Sequence, residues 1–139
     1  MFLNLLQENN KEYFLKLCVH ASLANDIFAE EEKEMIYAYC QEMDVKEHIP
    51  DEIEDFEDVV NTLSEQTDEV EKNIILMEIL GLIKEDGIYD EKEKEFMKKL
   101  ADGMKIKAEV LSKYNSLLEI YITIFKELRS AVCEKTLCE

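Results

Sequence analysis

The residues best equipped for chemistry are carboxylates crowded at two turns. Residues 84–96 read K-E-D-G-I-Y-D-E-K-E-K-E-F around one of only three glycines in a chain of 139, and residues 23–35 read L-A-N-D-I-F-A-E-E-E-K-E-M. At an offset of 61, Ile27, Glu30, Glu32, Lys33 and Glu34 fall in register with Ile88, Glu91, Glu93, Lys94 and Glu95. Carboxylates gathered in this way serve one of two ends. A hard divalent cation such as calcium takes about six to eight oxygens, so several acidic side chains must converge on it, and no single turn suffices. Alternatively, acidic side chains at a helix start accept its free N–H groups and complement its dipole, for ~0.3–1 kcal/mol each.

The capping reading explains much of the second turn. Gly87 suits a turn needing positive φ, and Asp90 followed three residues later by Glu93 is a capping-box pattern. The first turn fits less well. Ala29 stands at its cap position and cannot accept an N–H, so a capping box between Ala29 and Glu32 is not expected. An EF-hand is excluded, because the residues at ligand spacing before Asp86 are Leu82 and Lys84.

Other chemistry is poorly supported. His20 and His48 are the only histidines, and neither completes a Glu-x-x-His pair, which removes a di-iron bundle. His20 reads as a packed, hydrogen-bonded residue of a helix and His48 as a loop residue before Pro50. The serines lie in no nucleophile elbow, and there is no phosphate-cradling glycine loop. No enzyme is expected. Cys18 and Cys40 sit in apolar-periodic segments, and Cys133 and Cys138 have neither a second pair nor a nearby histidine to build a zinc site. Reduced, cytosolic thiols are the expectation.

Charge narrows the partners. The formal net charge is −17, with 10 Lys/Arg against 28 Asp/Glu in residues 1–104 and 6 against 5 in residues 105–139. Such a field repels nucleic acid and anionic lipid and favours cations or basic proteins. The run D-E-I-E-D-F-E-D, residues 51–58, is the densest acid and a candidate dock for a basic protein partner. No apolar stretch approaches the ~18 residues of a membrane span, so a cytoplasmic protein without membrane insertion is expected.

These side chains must be held by helices. The chain is 47% hydrophobic with three Gly and one Pro, too few turn formers for an all-β fold. Apolar spacing of three and four recurs almost throughout. It predicts an all-α, single-domain bundle of about six helices, built from two pseudo-symmetric helical hairpins plus a long C-terminal helix. The boundaries are a first repeat over about 11–45, an acidic connector helix over 51–66, a second repeat over 68–106 and the C-terminal helix over 107–133. Ile74–Ile83 is apolar nearly all round and predicts the most buried helix, with Gly81 allowing a close helix contact. The C-terminal helix carries Val110, Leu111, Tyr114, Leu117, Leu118, Tyr121, Phe125 and Leu128 as one stripe.

An apolar helix followed by Asp-Gly-x-apolar, with Glu seven residues after the Asp, is similar to the pattern of the TerB-like tellurite-resistance family. Here it is Asp86-Gly87-Ile88-Tyr89 with Glu93, and more loosely Asn25-Asp26-Ile27-Phe28 with Glu32. The resemblance covers roughly residues 11–106. It implies a helical, bacterial, cytoplasmic module linked to stress and tellurite resistance, whose acidic residues hold a metal. Carried over residue by residue, it implies Asp86 and Glu93 from the second turn and Asn25, Asp26 and Glu32 from the first. The first copy departs from the pattern: Asn25 stands where the family has Asp, and Asp26 where it has Gly. It offers one amide oxygen and a displaced carboxylate.

Two functions are therefore expected of a non-enzymatic, TerB-like binding module. In one, the inter-helix turns bind a divalent cation, calcium, as the sole cofactor. In the other, a metal-free interaction or regulatory adaptor uses the acidic helix 51–66 or the C-terminal helix, the latter also the expected homodimer contact.

Overall fold

The computed structural model describes residues 1–24, 30–84 and 89–133. Six helices follow a short 3₁₀ turn at Leu3–Leu5: α1 (Glu8–Leu23), α2 (Glu30–Glu42), α3 (Phe56–Gln66), α4 (Glu69–Ile83), α5 (Glu91–Gly103) and α6 (Ala108–Cys133). There is no strand among the described residues.

α4 is the centre of the packing because its sequence leaves it no polar face. Ile75, Leu76, Ile79 and Leu80 are fully buried and Ile74, Leu82 and Ile83 nearly so, each such side chain stabilising the fold by ~1.5–3 kcal/mol. α1 packs on α3 and α4, while α4 also meets α5 and α6, and α3 meets α5. Phe14, Leu15, Leu17 and Cys18 of α1 and Met97 and Leu100 of α5 complete the core. Burial pushes the Cys18 thiol well above its ordinary value and that of Cys40 upward, so neither is a ready nucleophile. Cys18 and Cys40 are free thiols.

The two hairpins share one register. α1 and α4 begin 61 residues apart, as do α2 and α5. Both α2 and α5 end in a left-handed residue, Asp44 at φ 58° and Lys105 at φ 60°. The Val45 N–H donates to the Cys40 carbonyl at 2.9 Å, and the Ile106 N–H donates to the Ala101 carbonyl at 2.8 Å. This is the Schellman closure of a helix end, and it occurs twice although neither left-handed residue is glycine.

Three expectations are corrected. The connector helix begins at Phe56 rather than near residue 51. Asp51, Glu52, Glu54 and Asp55 would crowd like charges onto one helical turn. Instead the segment runs in non-helical form, anchored by buried Pro50 and by Lys16, whose Nζ lies 3.0 Å from Glu54 Oε1. Gly81 makes no close contact, since a Cβ there would meet nothing within 4 Å. The close approach is at Gly103, where a Cβ would collide with Val60 Cγ1 across the α3–α5 contact. Lastly, only the first half of the α6 stripe joins the core. Val110, Leu111 and Tyr114 are half-buried and Leu118 is buried, whereas Leu117, Tyr121, Phe125 and Leu128 are exposed.

Candidate functional site

The acidic turns precede α2 and α5, and the structure describes the helix starts that flank them. At α5, Asp90 is the N-cap. Its Oδ1 accepts the Glu93 backbone N–H at 2.9 Å, while Glu93 Oε1 accepts the Asp90 N–H at 3.1 Å, closing the expected capping box. Glu93 is only 3% exposed. Asp68 and Glu71 form the same box at the start of α4. Buried Glu71 also accepts the Gln7 N–H and Asn10 Nδ2, each at 2.9 Å, which satisfies a carboxylate that burial would otherwise penalise.

The helix starts of α2 and α5 carry equivalent ion pairs. Lys33 Nζ lies 3.4 Å from Glu30 Oε1, and Lys94 Nζ lies 3.6 Å from Glu91 Oε1. Glu32, the counterpart of Glu93, is half-buried in the first turn of α2. Among the site residues read from the sequence, Glu32 and Glu93 are thus placed at matching helix starts. Asn25, Asp26 and Asp86 lie outside the described residues. Among the described residues no three His, Cys, Asp or Glu side chains gather closely enough to hold one ion.

Beside Glu93 stands a feature that sequence spacing did not suggest. The Tyr89 ring faces two ammonium groups, Lys84 Nζ at 5.2 Å and Lys94 Nζ at 5.7 Å from its centroid. Burial, and secondly the Glu93 carboxylate, raise the Tyr89 hydroxyl above its ordinary value. Lys84 is itself buried, and its Nζ donates to Asn115 Oδ1 and, at 2.9 Å, to Glu119 Oε1, fastening α6 to α4. The Lys84 pair holds the Glu119 carboxyl below its ordinary value. The signal in the sequence was a lysine directly after the largely apolar run Ile74–Ile83.

A second acidic feature is an open cleft between the start of α3 and the end of α5, lined by Asp55, Glu57, Asp58, Lys99 and Asp102. Four carboxylates against one ammonium give it negative potential. The histidines are structural: His20 Nε2 bonds the Glu54 carbonyl at 2.8 Å with its ring edge-on to Phe56, and His48 lies between Glu12 and the Lys46 carbonyl. A third buried carboxylate, Glu78, accepts the Met1 ammonium at 2.5 Å and the Phe2 N–H at 2.9 Å. Burial works against that ammonium's charge, but hydrogen bonds to Glu78 and Glu42 outweigh it and raise its affinity for the proton. No described helix is long and apolar enough to cross a membrane.

The arrangement defines an all-α bundle of two pseudo-symmetric hairpins closed by a long helix, with acidic helix starts at equivalent places. That is the fold of a tellurite resistance protein from Nostoc punctiforme, whose crystal structure matches with a TM-score of 0.72 over 94% of this chain and 84% of that one. Sequence identity is 18%, so the likeness is one of fold, and the fold is the one the TerB-like resemblance implied. No family model matches the chain, and no curated protein matches it.

Proposed function

We propose that the chain is a non-catalytic binding module of the tellurite-resistance, TerB-like kind acting in the bacterial cytoplasm, and that its paired acidic turns bind a divalent cation. Calcium is the hard ion that an all-oxygen donor set favours. The observation behind this reading is the matched start of α2 and α5, 61 residues apart, with Glu32 and Glu93 at equivalent positions. Asp86 and Glu93 would be the principal ligands, with Asp26, Glu32 and Asn25 from the first turn. On this reading Glu93 serves both as the cap seen at the start of α5 and as a ligand of the ion.

A second reading is favoured by that same capping box, which accounts for Glu93 without an ion. On it, the module is a metal-free adaptor whose α3–α5 cleft, with Asp55, Glu57, Asp58 and Asp102, receives a basic protein. Native mass spectrometry of the full chain against calcium, magnesium, manganese and zinc separates the two. One calcium retained per chain in wild type and lost in Asp86→Asn supports the cation reading. No retained metal, together with salt-sensitive binding of a basic peptide that Asp55→Asn/Asp58→Asn weakens, supports the adaptor.

A further inference from the structure

α6 outlives the core it belongs to. Leu118 is its last buried residue, yet the helix continues to Cys133, ~22 Å further at 1.5 Å per residue. A helical segment this short is marginal in water unless a face is covered. The face is ready to be covered: Leu117, Ile120, Tyr121, Ile124, Phe125 and Leu128 are each between 48% and 60% exposed. Tyr121 and Phe125 stack on each other at 6.1 Å between centroids, presenting a preformed aromatic ridge. Beside it runs a shallow groove along Ser116, Glu119, Thr123 and Ile124.

We infer that this face is covered by a second copy of the chain, α6 against α6 in antiparallel orientation. Three observations select that occupant. The first is spacing. Leu117, Tyr121, Ile124 and Leu128 recur at intervals of four, three and four, the seam of a two-helix coiled coil. In an antiparallel pair centred between Ile122 and Thr123, Leu117 meets the partner's Leu128 and Tyr121 meets the partner's Ile124, so the seam complements itself.

The second is charge. α6 carries Lys113, Lys126 and Arg129 against Glu109, Glu119 and Glu127, no net charge, while residues 1–104 hold 18 more acidic than basic side chains. α6 is where two copies of so acidic a chain can approach, and an uncharged face selects neither a basic protein nor a lipid surface. The antiparallel arrangement adds to this. It sets the Leu118 attachment points of the two bodies ~14 Å apart along the seam, beyond the ~8 Å Debye length at physiological salt. A parallel pair would place them abreast. The third is area. Six half-exposed apolar side chains leave on the order of 600 Å² per protomer, close to the ~800 Å² per partner of a standard interface.

Light scattering after size exclusion tests this on the full chain. The expected mass is twice 16.3 kDa at micromolar concentration, with a melting temperature that rises with protein concentration. Ile124→Lys/Leu128→Lys restores 16.3 kDa and abolishes the concentration dependence, with the helical circular dichroism of a folded protein. Raising sodium chloride from ~0.05 to ~0.5 M lowers the dimer dissociation constant several-fold, because it screens two acidic bodies and leaves an apolar seam intact. Chelator leaves the dimer unchanged, which separates it from any cation bound at the turns. Oxidation joins Leu117→Cys/Leu128→Cys into a covalent dimer faster than it joins either single variant, as the antiparallel pairing requires. A wild-type monomer at ~100 µM, far above the concentration an interface of this size needs, would overturn the inference. So would a dimer that survives the double lysine variant, or single cysteine variants that cross-link as fast as the pair.

Discussion

Asp90 and Glu93 each hold the other's backbone N–H, Glu93 N to Asp90 Oδ1 at 2.9 Å and Asp90 N to Glu93 Oε1 at 3.1 Å. The exchange gives the acidic residues of the second turn separate duties. Asp90 is committed to the helix start, whereas Glu93 reaches back to it and its charge also acts on the Tyr89 hydroxyl. Asp90→Ala should lower stability by ~1 kcal/mol, as should Asp68→Ala at the matching box of α4. Glu93→Gln, which keeps an acceptor in place, should cost only a few tenths of that. Urea titrations of the three variants with an unchanged slope would check the ranking.

The helix ends give a prediction of opposite sign. Asp44 and Lys105 sit at φ 58° and φ 60°, a conformation whose crowding costs a side chain ~1 kcal/mol and costs glycine nothing. Lys105→Gly should therefore stabilise the protein by several tenths of a kcal/mol to ~1 kcal/mol, less whatever flexibility glycine adds to the unfolded chain. Asp44→Gly should do the same. A rise in melting temperature of a few degrees for each would be the sign; a fall would mean that the unfolded-state entropy dominates.

Two glycines exchange the roles their positions suggest. Gly103→Ala should destabilise by ~1–3 kcal/mol through the collision with Val60 Cγ1, and Gly81→Ala, with nothing within 4 Å, should stabilise by up to ~1 kcal/mol through helix propensity. Val60→Ala should remove much of the penalty at Gly103. A double-mutant cycle on Val60 and Gly103 measures that coupling directly.

That exchange shows where sequence reasoning succeeds and where it stops. The Asp68 and Asp90 caps, the burial of Ile74–Ile83 and the shared register of the hairpins each follow from local rules that residue spacing expresses. The close approach at Gly103 depends on where α3 crosses α5, a tertiary fact with no local signature. The start of α3 was misplaced because an acidic first turn favours a helix only until neighbouring like charges outweigh the dipole. Along α6 the apolar period runs unbroken from Val110 to Leu128, and the period is the same whether the partner face belongs to this chain or to another. Of the candidate site, the cap was readable from spacing. The ring of Tyr89 facing Lys84 and Lys94 was not, because it joins the end of α4 to the start of α5.

His48 supplies a pH dependence. Its Nε2 lies 2.7 Å from Glu12 Oε1 and its Nδ1 2.7 Å from the Lys46 carbonyl, both acceptors, so both bonds are made only by the imidazolium. The Lys46 carbonyl first and Glu12 second raise its pKa above the ordinary 6.5. A raised pKa in the folded state means stability fully present below about 6.5 and lost as pH rises through the folded value. Both partners are partly exposed, which limits the effect to at most ~1 kcal/mol. Melts of wild type and His48→Gln should differ at pH 5.5 and converge by pH 8; a gap that widens with pH would refute the assignment.

The central claim, that the acidic turns hold a divalent cation rather than only capping helices, is tested most directly by calcium-dependent thermal melts at high monovalent salt. The salt matters because any divalent ion relieves self-repulsion at net charge −17. At ~100 times its dissociation constant calcium should stabilise the wild type by ~2.7 kcal/mol, a shift of several degrees. Asp86→Asn should lose that shift with little change in the metal-free melt, since Asn still suits a turn, and Asp90→Ala should melt lower but keep the shift. If wild type and Asp86→Asn respond alike to calcium, the turns bind no specific ion and their carboxylates are caps.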